Sequence, residues 1–209
     1  MKRQNDKFGF WLVVLWPLIL IFSLVFHHIP FFGAGAQQQQ HIPTPTNTPT
    51  PAPTTSPQPR NIKTIRTDFI SLARKQIGVK EDPIGSNRGK EVDEYNITAG
   101  APLGSPWCAS VQHWTGKKVG LQLPNAYSPS WFPKRKIIPP EEVRSGDFAG
   151  VYSHKLKRIA HLALVEKVEE NRVITLEGNT NAEGSREGHG YFRRSRLKNS
   201  LVFSRWIEE

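Results

Sequence analysis

The sequence predicts an α+β domain in which N-terminal helices pack on an antiparallel β-sheet. Before residue 120 the apolar residues recur at the spacing of an amphipathic helix. After residue 145 they occur instead in short runs rich in β-branched and aromatic residues, bounded by Gly, Asn and charged residues. Helices followed by strands are typical of the α+β class, so residues 60–209 are expected to form one such domain.

Two helical segments precede the cysteine. The first helix is predicted over residues 62–77, with Thr64 or Thr67 as the N-cap and Gly78 as its end. A short helical turn is predicted at residues 91–95. The first prediction depends on apolar residues at helical spacing, which are Ile65, Phe69, Leu72, Ala73 and Ile77.

The third helix carries the single cysteine of the sequence. Ser105 suits the N-cap position and Pro106 the first helical position, and the pattern continues to Gly116. Cys108 is therefore expected in the first helical turn. There the partial positive charge of unpaired amides lowers the pKa of a thiol, and the same amides can stabilise an oxyanion. The alternative interpretation is a small buried residue, because free cysteine is among the most buried residue types.

Short strands are predicted at residues 148–152, 159–168, 173–177, 191–194 and 201–206, after an irregular loop at 124–140 that contains five prolines. A three-residue hairpin loop at 169–171 would pair Val168 with Arg172. His161 would then lie opposite Asn179, and Ala163 opposite Glu177. This register would place the imidazole and both polar side chains on one face of the hairpin.

The N-terminal part of the chain predicts a membrane attachment. Residues 1–7 are basic, and residues 8–28 are expected to form a transmembrane helix or signal anchor, because the run from Phe8 to Phe26 contains no charged residue. The positive-inside rule places the C-terminal domain outside the cytoplasm, as a single-pass membrane protein. Alternatively, the chain is cleaved after Ala36 and secreted. Residues 37–59, rich in Pro and Thr, are expected to form an extended stalk.

Charge and cysteine content restrict the function further. The formal net charge is +10. Three basic residues and one acidic residue precede residue 60, which leaves +8 for residues 60–209. Outside the membrane this charge favours anionic cell-envelope polymers over nucleic acid as the partner. One cysteine excludes an intramolecular disulfide and a cysteine-rich zinc site. No calcium-loop spacing is present, and no metal, cofactor or obligate protein partner is predicted.

Motifs in residues 66–207 together resemble the CHAP family, the cysteine, histidine-dependent amidohydrolases/peptidases of the papain-like and NlpC-type group. The order and spacing of the motifs carry the resemblance, whereas each motif alone is weak. They are Ile77-Gly78-Val79-Lys80-Glu81, Gly85-Ser86-Asn87, Tyr95, Pro106-Trp107-Cys108-Ala109, Arg144-Ser145-Gly146-Asp147, Ala160-His161-Leu162-Ala163-Leu164-Val165 and Leu176-Glu177-Gly178-Asn179-Thr180.

The resemblance implies a papain-like fold and hydrolysis of amide bonds in peptidoglycan. Carried onto the matching positions, it implies that Cys108 is the nucleophile and His161 the general base and acid. It further implies that Glu177 orients the imidazole and that Asn179 gives polar support. The chain departs from the family pattern at Ala160 and Leu162, where glycine or serine and valine are common.

Three further residues are candidates for substrate contact. Trp107 and Trp131 can stack on sugar rings, and Asn87 belongs to the loop before the nucleophile helix. The leading hypothesis is therefore a membrane-anchored peptidoglycan amidase or endopeptidase that forms a thioester intermediate. Two alternatives stay open. One is a non-catalytic wall-binding module, and the other is an enzyme of the same fold that acts on a different amide, such as a transamidase or deamidase.

Overall fold

A computed structural model describes residues 61–208. The predicted basic segment, membrane helix and stalk lie outside the described residues. Within 61–208, no helix has the length and apolar character needed to cross a bilayer. The helices are α1 (Ile62–Arg74), α2 (Lys90–Thr98) and α3 (Cys108–Lys118). The strands are β1 (Ile137–Ile138), β2 (Phe148–Ser153), β3 (Arg158–Val168), β4 (Arg172–Thr180), β5 (Gly190–Leu197) and β6 (Val202–Ser204).

The predicted α+β class is confirmed, because the strands form one antiparallel sheet in the order β1-β6-β2-β3-β4-β5. Helix α3 contacts α1, α2, β3 and β4. The main core lies between the helices and the sheet. It includes Phe69 of α1, Trp107 and Val111 at α3, and Leu162 and Leu176 of the sheet. A second cluster of buried apolar residues contains Ala163, Val165, Val173 and Phe203, among others.

Helix α1 begins where an asparagine caps it. The Asn61 side chain accepts a hydrogen bond from the Lys63 amide at 2.8 Å, so the prediction of Thr64 or Thr67 as the N-cap was wrong. Thr67 instead donates its hydroxyl to the Lys63 carbonyl from within the helix. The helix ends at Arg74, three residues before the predicted end, and Ile77 is left exposed. Helix α2 is longer than the turn predicted at residues 91–95.

Helix α3 begins later than the sequence predicted. Trp107 occupies the N-cap position, and the Ser105 amide closes a turn onto the Pro102 carbonyl. The assignment of Ser105 as the N-cap and Pro106 as the first helical residue was therefore wrong. The buried Trp107 side chain fixes the start of the helix, because its indole donates to Glu81 Oε1 at 2.9 Å. Cys108 is thus the first residue of α3, still within the first turn.

The loop at 124–140 contains more regular structure than predicted. Two short 3₁₀ turns, Ser128–Trp131 and Lys134–Lys136, precede strand β1. Strand β1 is only two residues long and pairs with β6, so the sequence pattern around it carried no strand signal.

The β3–β4 hairpin reaches the predicted register by a different route. Val168 pairs with Val173 rather than with Arg172, so the predicted three-residue loop was wrong. A bulge at Glu166 then shifts the pairing by one residue, and Leu164 lies opposite Leu176. This is the register that the prediction had assigned to the part of the hairpin carrying His161 and Glu177.

Gly178 permits the close approach of α3 to β4. A Cβ atom at this position would lie 2.6 Å from Cζ3 of Trp107 and 2.8 Å from Cγ1 of Val111. Both of these side chains are fully buried and have no room to move. The absence of a side chain between Glu177 and Asn179 therefore lets the start of α3 pack directly on the strand that carries them.

Candidate active site

Cys108 lies at the N-terminus of α3 and borders a cavity of about 350 Å³. The residue is 4% exposed, and its Sγ atom lies 3.5 Å from the Ser128 hydroxyl, which lines the same cavity. The Val111 amide bonds to the Trp107 carbonyl, so the amides ahead of Val111 have no acceptor within the helix. The sulfur therefore combines access to a cavity with a set of amide donors at the start of a helix.

His161 of β3 and Glu177 of β4 form a buried hydrogen bond. Their side chains are 1% and 0% exposed, and Nε2 of the imidazole lies 2.9 Å from Oε2 of the carboxylate. The other ring nitrogen, Nδ1, is buried and has no hydrogen-bond partner within residues 61–208. The prediction that the imidazole and the carboxylate share one face of the hairpin agrees with this contact. Nδ1 is consequently the ring atom left to exchange a proton.

Glu177 is held from two further sides. The Thr175 hydroxyl donates to Oε1 at 2.5 Å. Arg196 of β5 donates from Nε to Oε1 at 2.6 Å and from Nη2 to Oε2 at 2.5 Å, which is a bidentate pair. Three hydrogen bonds from two residues thus fix the carboxylate in the position from which it contacts His161.

The sequence patterns had not indicated Arg196, which lies in a basic run with Arg193 and Arg194. Strand β5 alternates between half-buried and exposed residues, with Arg194 and Arg196 at half-buried positions. Two basic residues on the inward-facing side of a strand were the available signal. That signal points to a buried carboxylate but does not identify which one.

The charges of the three groups reinforce one another. Burial opposes ionisation of Glu177, but Arg196 and His161 outweigh it and lower the pKa of this carboxyl group to about 2. Burial also disfavours an imidazolium, yet the interactions with Cys108 and Glu177 raise the pKa of His161 to about 9. The pKa of the Cys108 thiol is lowered despite its burial, because His161 and Ser128 favour the thiolate. Both shifts act in the same direction, toward a thiolate at Cys108 and an imidazolium at His161.

Asn179 lies two residues after Glu177 in strand β4. The residue is buried, has a positive φ of 56° and sits at an irregularity in the β4–β5 pairing. Its Oδ1 atom has no hydrogen-bond partner in the part of the chain that the structure describes. The predicted supporting role of Asn179 stays a prediction.

The three residues predicted to contact substrate lie away from the cavity lining. Trp107 and Trp131 are both 0% exposed, and their indole groups donate to Glu81 and to the Asn125 carbonyl. Stacking on a sugar needs an exposed ring face, so their burial does not fit the predicted role. Asn87 adopts a positive φ of 53° in the loop before α2. The residues that do line the cavity include Tyr127 and Arg158, which the sequence patterns had not indicated.

No group of three or more His, Cys, Asp or Glu side chains within residues 61–208 is arranged to hold a metal ion. The two other buried carboxylates of note, Asp147 and Glu166, are each bonded to arginines.

Comparisons with known proteins give similarity at the level of structure. No protein-family model matches the chain, and no curated protein matches it. Among solved structures, the P60 domain of an M. avium paratuberculosis antigen has a TM-score of 0.43 at 15% identity, covering 69% of this chain and 94% of that one. A Staphylococcus aureus protein similar to a lipoprotein of the NLP/P60 family has a TM-score of 0.42 at 21% identity. The match covers 74% of this chain and 45% of the staphylococcal chain.

A third structure, Ly7917 with the hydrolyzing product of MDP, has a TM-score of 0.34 at 14% identity and covers 68% of this chain and 63% of its own. All three TM-scores are below 0.5. The functional interpretation of the site therefore depends on its own geometry and not on these similarities.

Proposed function

We propose that the chain is a cysteine-dependent amidohydrolase or peptidase that hydrolyses amide bonds of peptidoglycan through Cys108, His161 and Glu177. One observation carries the proposal. A buried imidazole is hydrogen-bonded through Nε2 to a carboxylate, its Nδ1 has no hydrogen-bond partner within residues 61–208, and it lowers the pKa of a thiol that borders a cavity. A purely structural histidine would be expected to have both ring nitrogens satisfied.

The proposed reaction begins with attack of the Cys108 thiolate on the carbonyl carbon of the substrate amide. A C–S bond forms, and the carbonyl oxygen becomes an oxyanion beside the amides at the start of α3. His161 then transfers its proton to the amide nitrogen, the C–N bond breaks, and the amine leaves behind a thioester.

Water completes the cycle. It loses a proton to His161 and attacks the thioester carbon, the C–S bond breaks, and the thiolate returns while the acyl group leaves as a carboxylic acid. Glu177 keeps its charge throughout and holds the imidazole through Nε2, and Arg196 and Thr175 hold Glu177.

Peptidoglycan is the substrate that the sequence favours. The support is the resemblance to the CHAP family, the net charge of +8 over residues 60–209, and the predicted position of the domain outside the membrane. We further propose that residues 8–28 anchor the protein in the membrane and that the stalk at 37–59 extends the domain toward the wall. A chain cleaved after Ala36 would be secreted with the same activity.

The test incubates the purified full-length chain with intact peptidoglycan and identifies the soluble products by mass spectrometry. The expected products carry one new amine and one new carboxyl terminus for each amide cut. The matched control is Cys108→Ala, which lacks the nucleophile and leaves Ser128, His161 and Glu177 in place. Release of the same products by Cys108→Ala would contradict the proposal.

A second measurement separates the alternatives. Alkylation of the only thiol by iodoacetamide at neutral pH is expected to be fast in the native chain and slower in His161→Ala. Fast alkylation without peptidoglycan cleavage would favour hydrolysis or transfer at another amide. Slow alkylation that does not depend on His161 would favour a non-catalytic wall-binding module.

A further inference from the structure

The charged residues that line the cavity beside Cys108 are all basic. Among the described residues that line it are two arginines, Arg158 and Arg186, and none of the lining residues is acidic. Its polar uncharged lining includes Ser105, Asn125, Tyr127 and Ser128, and the remaining lining residues other than Cys108 itself are glycine, alanine and proline. A substrate in this cavity would meet cationic groups and small neutral walls.

The two arginines differ in how far their charge is already neutralised. Arg186 Nη1 lies 2.6 Å from Glu187 Oε1, so a neighbouring carboxylate compensates it. Arg158 has no ion-pair partner within residues 61–208. Its Nη1 donates to the Ile159 carbonyl at 3.1 Å, and its Cζ lies 5.6 Å from the centroid of the Tyr127 ring. Among the described residues, Arg158 therefore presents to the cavity a positive charge that no carboxylate compensates.

An arginine packed on an aromatic ring keeps the edge of its guanidinium group available. A guanidinium has five N–H donors in a planar fork, and the geometry of this fork matches a carboxylate. Packing against Tyr127 restricts the fork, so less conformational entropy is lost when an anion binds. The chemistry of this position is that of a carboxylate receptor.

We propose that Arg158, supported by Tyr127, binds a carboxylate of the peptide substrate, so that the cleft selects acidic peptides. This inference rests on the proposed function, since it takes the peptide whose amide reaches Cys108 as the ligand. Arg158 and His161 both belong to β3, and Arg158 and Cys108 line the same cavity. A carboxylate held by Arg158 fixes the peptide against the strand that supplies the acid and base.

Binding measured without turnover tests the inference. The full-length chain carrying Cys108→Ala is titrated by calorimetry with two synthetic wall tetrapeptides, one with every carboxylate free and one with every carboxylate converted to the carboxamide. The acidic peptide is expected to bind about 10- to 100-fold more tightly, as hydrogen bonds to charged groups contribute in this range. Adding Arg158→Gln is expected to reduce the preference to about threefold or less.

Three matched variants complete the design. Arg158→Lys keeps the charge without the fork and is expected to retain an intermediate preference. Arg186→Gln is expected to lose less than Arg158→Gln, because Glu187 already compensates Arg186. Arg172→Gln removes an exposed arginine that bonds to Ser195 and does not line the cavity, so it controls for net charge and is expected to keep the full preference. Circular dichroism confirms that each variant folds.

Two results would overturn the inference, namely equal affinity of the Cys108→Ala chain for the two peptides, or an unchanged preference in both Arg158 variants. Hydrolysis of the two peptides by the chain with Cys108 intact is measured in parallel. Equal affinity of the Cys108→Ala chain for the two peptides, with both peptides hydrolysed by the chain that keeps Cys108, would refute the inference alone. Tighter binding of the acidic peptide by the Cys108→Ala chain, with neither peptide hydrolysed by the chain that keeps Cys108, would support the inference and contradict the proposed function.

Discussion

Glu177 and Asp147 are both fully buried carboxylates held by arginine, and the difference between them separates a candidate catalytic group from a structural one. Asp147 accepts hydrogen bonds from Arg66 Nη1 at 3.2 Å, from Arg205 Nη2 at 2.9 Å and from the Arg144 amide at 2.8 Å. Arginine stays charged at every physiological pH, so the side-chain partners of Asp147 are permanent cations. Its contacts join α1 to the C-terminal segment after β6.

Glu177 has one permanent cation, Arg196, and one partner that can gain or lose a proton, His161. The imidazole in turn lowers the pKa of the thiol at the cavity. Burial and arginine pairing are thus common to both regions, and the titratable partner is what distinguishes the candidate site. Variants at the candidate site should therefore lose activity whether or not they also lose stability, whereas variants at Asp147 should lose stability alone.

The largest effect is expected from His161→Ala. Loss of the imidazole removes both the group that favours the thiolate and the proton donor, so kcat/KM for peptidoglycan peptides is expected to fall by about 10²- to 10⁴-fold. Thermal unfolding followed by circular dichroism serves as the control for folding. A loss of less than about tenfold in a folded variant would show that another group acts as the base.

Asp147→Ala is expected to act on stability instead. Removal of the carboxylate leaves Arg66 and Arg205 unpaired in a largely buried place, which costs about 3–5 kcal/mol of unfolding free energy. Denaturant unfolding measures the loss. The rate of Cys108 alkylation in the folded fraction is expected to be unchanged, and a slower rate would show that the two regions are not independent.

Glu177→Gln is expected to have a cost that depends on pH. The pKa of Glu177 is about 2 in the folded state against an ordinary value of 4.5, so the carboxylate stabilises the fold above pH 4.5 and loses this contribution as the pH falls toward 2. The difference in unfolding free energy between the native chain and Glu177→Gln should be greater at pH 7 than at pH 2, by about 3 kcal/mol.

Unfolding titrations at both pH values check this prediction, and a difference that does not change with pH would refute the assignment of the charge. Activity should respond as well. Loss of the carboxylate lowers the pKa of His161 from about 9, so the alkaline limb of the kcat/KM profile is expected to move to lower pH.

The smallest effect is expected from Gly178→Ala, which tests the contact that brings α3 to β4. The added methyl group would overlap Trp107 and Val111, and overpacking of this kind costs about 1–3 kcal/mol. Denaturant unfolding measures this cost. A displaced α3 moves Cys108 from His161, so the rate of Cys108 alkylation should also fall. An alkylation rate equal to that of the native chain would show that this packing does not position the sulfur.

The sequence predicted the class of the fold and the meeting of His161 with Glu177, because the two-residue period of a strand places alternate residues on one face. The predicted turn was nevertheless wrong by one residue, and the bulge at Glu166 restored the register. That residue is bonded to Arg74 of α1 and Arg193 of β5, each at 2.5 Å. Contacts between distant parts of the chain stabilise the bulge, and a local sequence pattern cannot predict such contacts.

For a related reason, the sequence could not predict the role of Arg196 or the burial of Trp107 and Trp131. The β4–β5 pairing that brings Arg196 to Glu177 follows an irregular segment at 181–189, whose length does not specify a register. A tryptophan beside a nucleophile fits a binding surface or a core equally well by composition. Only the acceptor found by each indole, Glu81 or the Asn125 carbonyl, places it in the interior.

The solitary sulfur of this sequence has a consequence for oxidative chemistry. A thiolate reacts with peroxide to give a sulfenic acid, which is normally rescued by condensation with a second thiol. No other cysteine occurs in these 209 residues, so an oxidised Cys108 has no internal partner for such a disulfide. Its recovery depends on a thiol or other reductant from outside the chain that is small enough to enter the cavity that Cys108 borders.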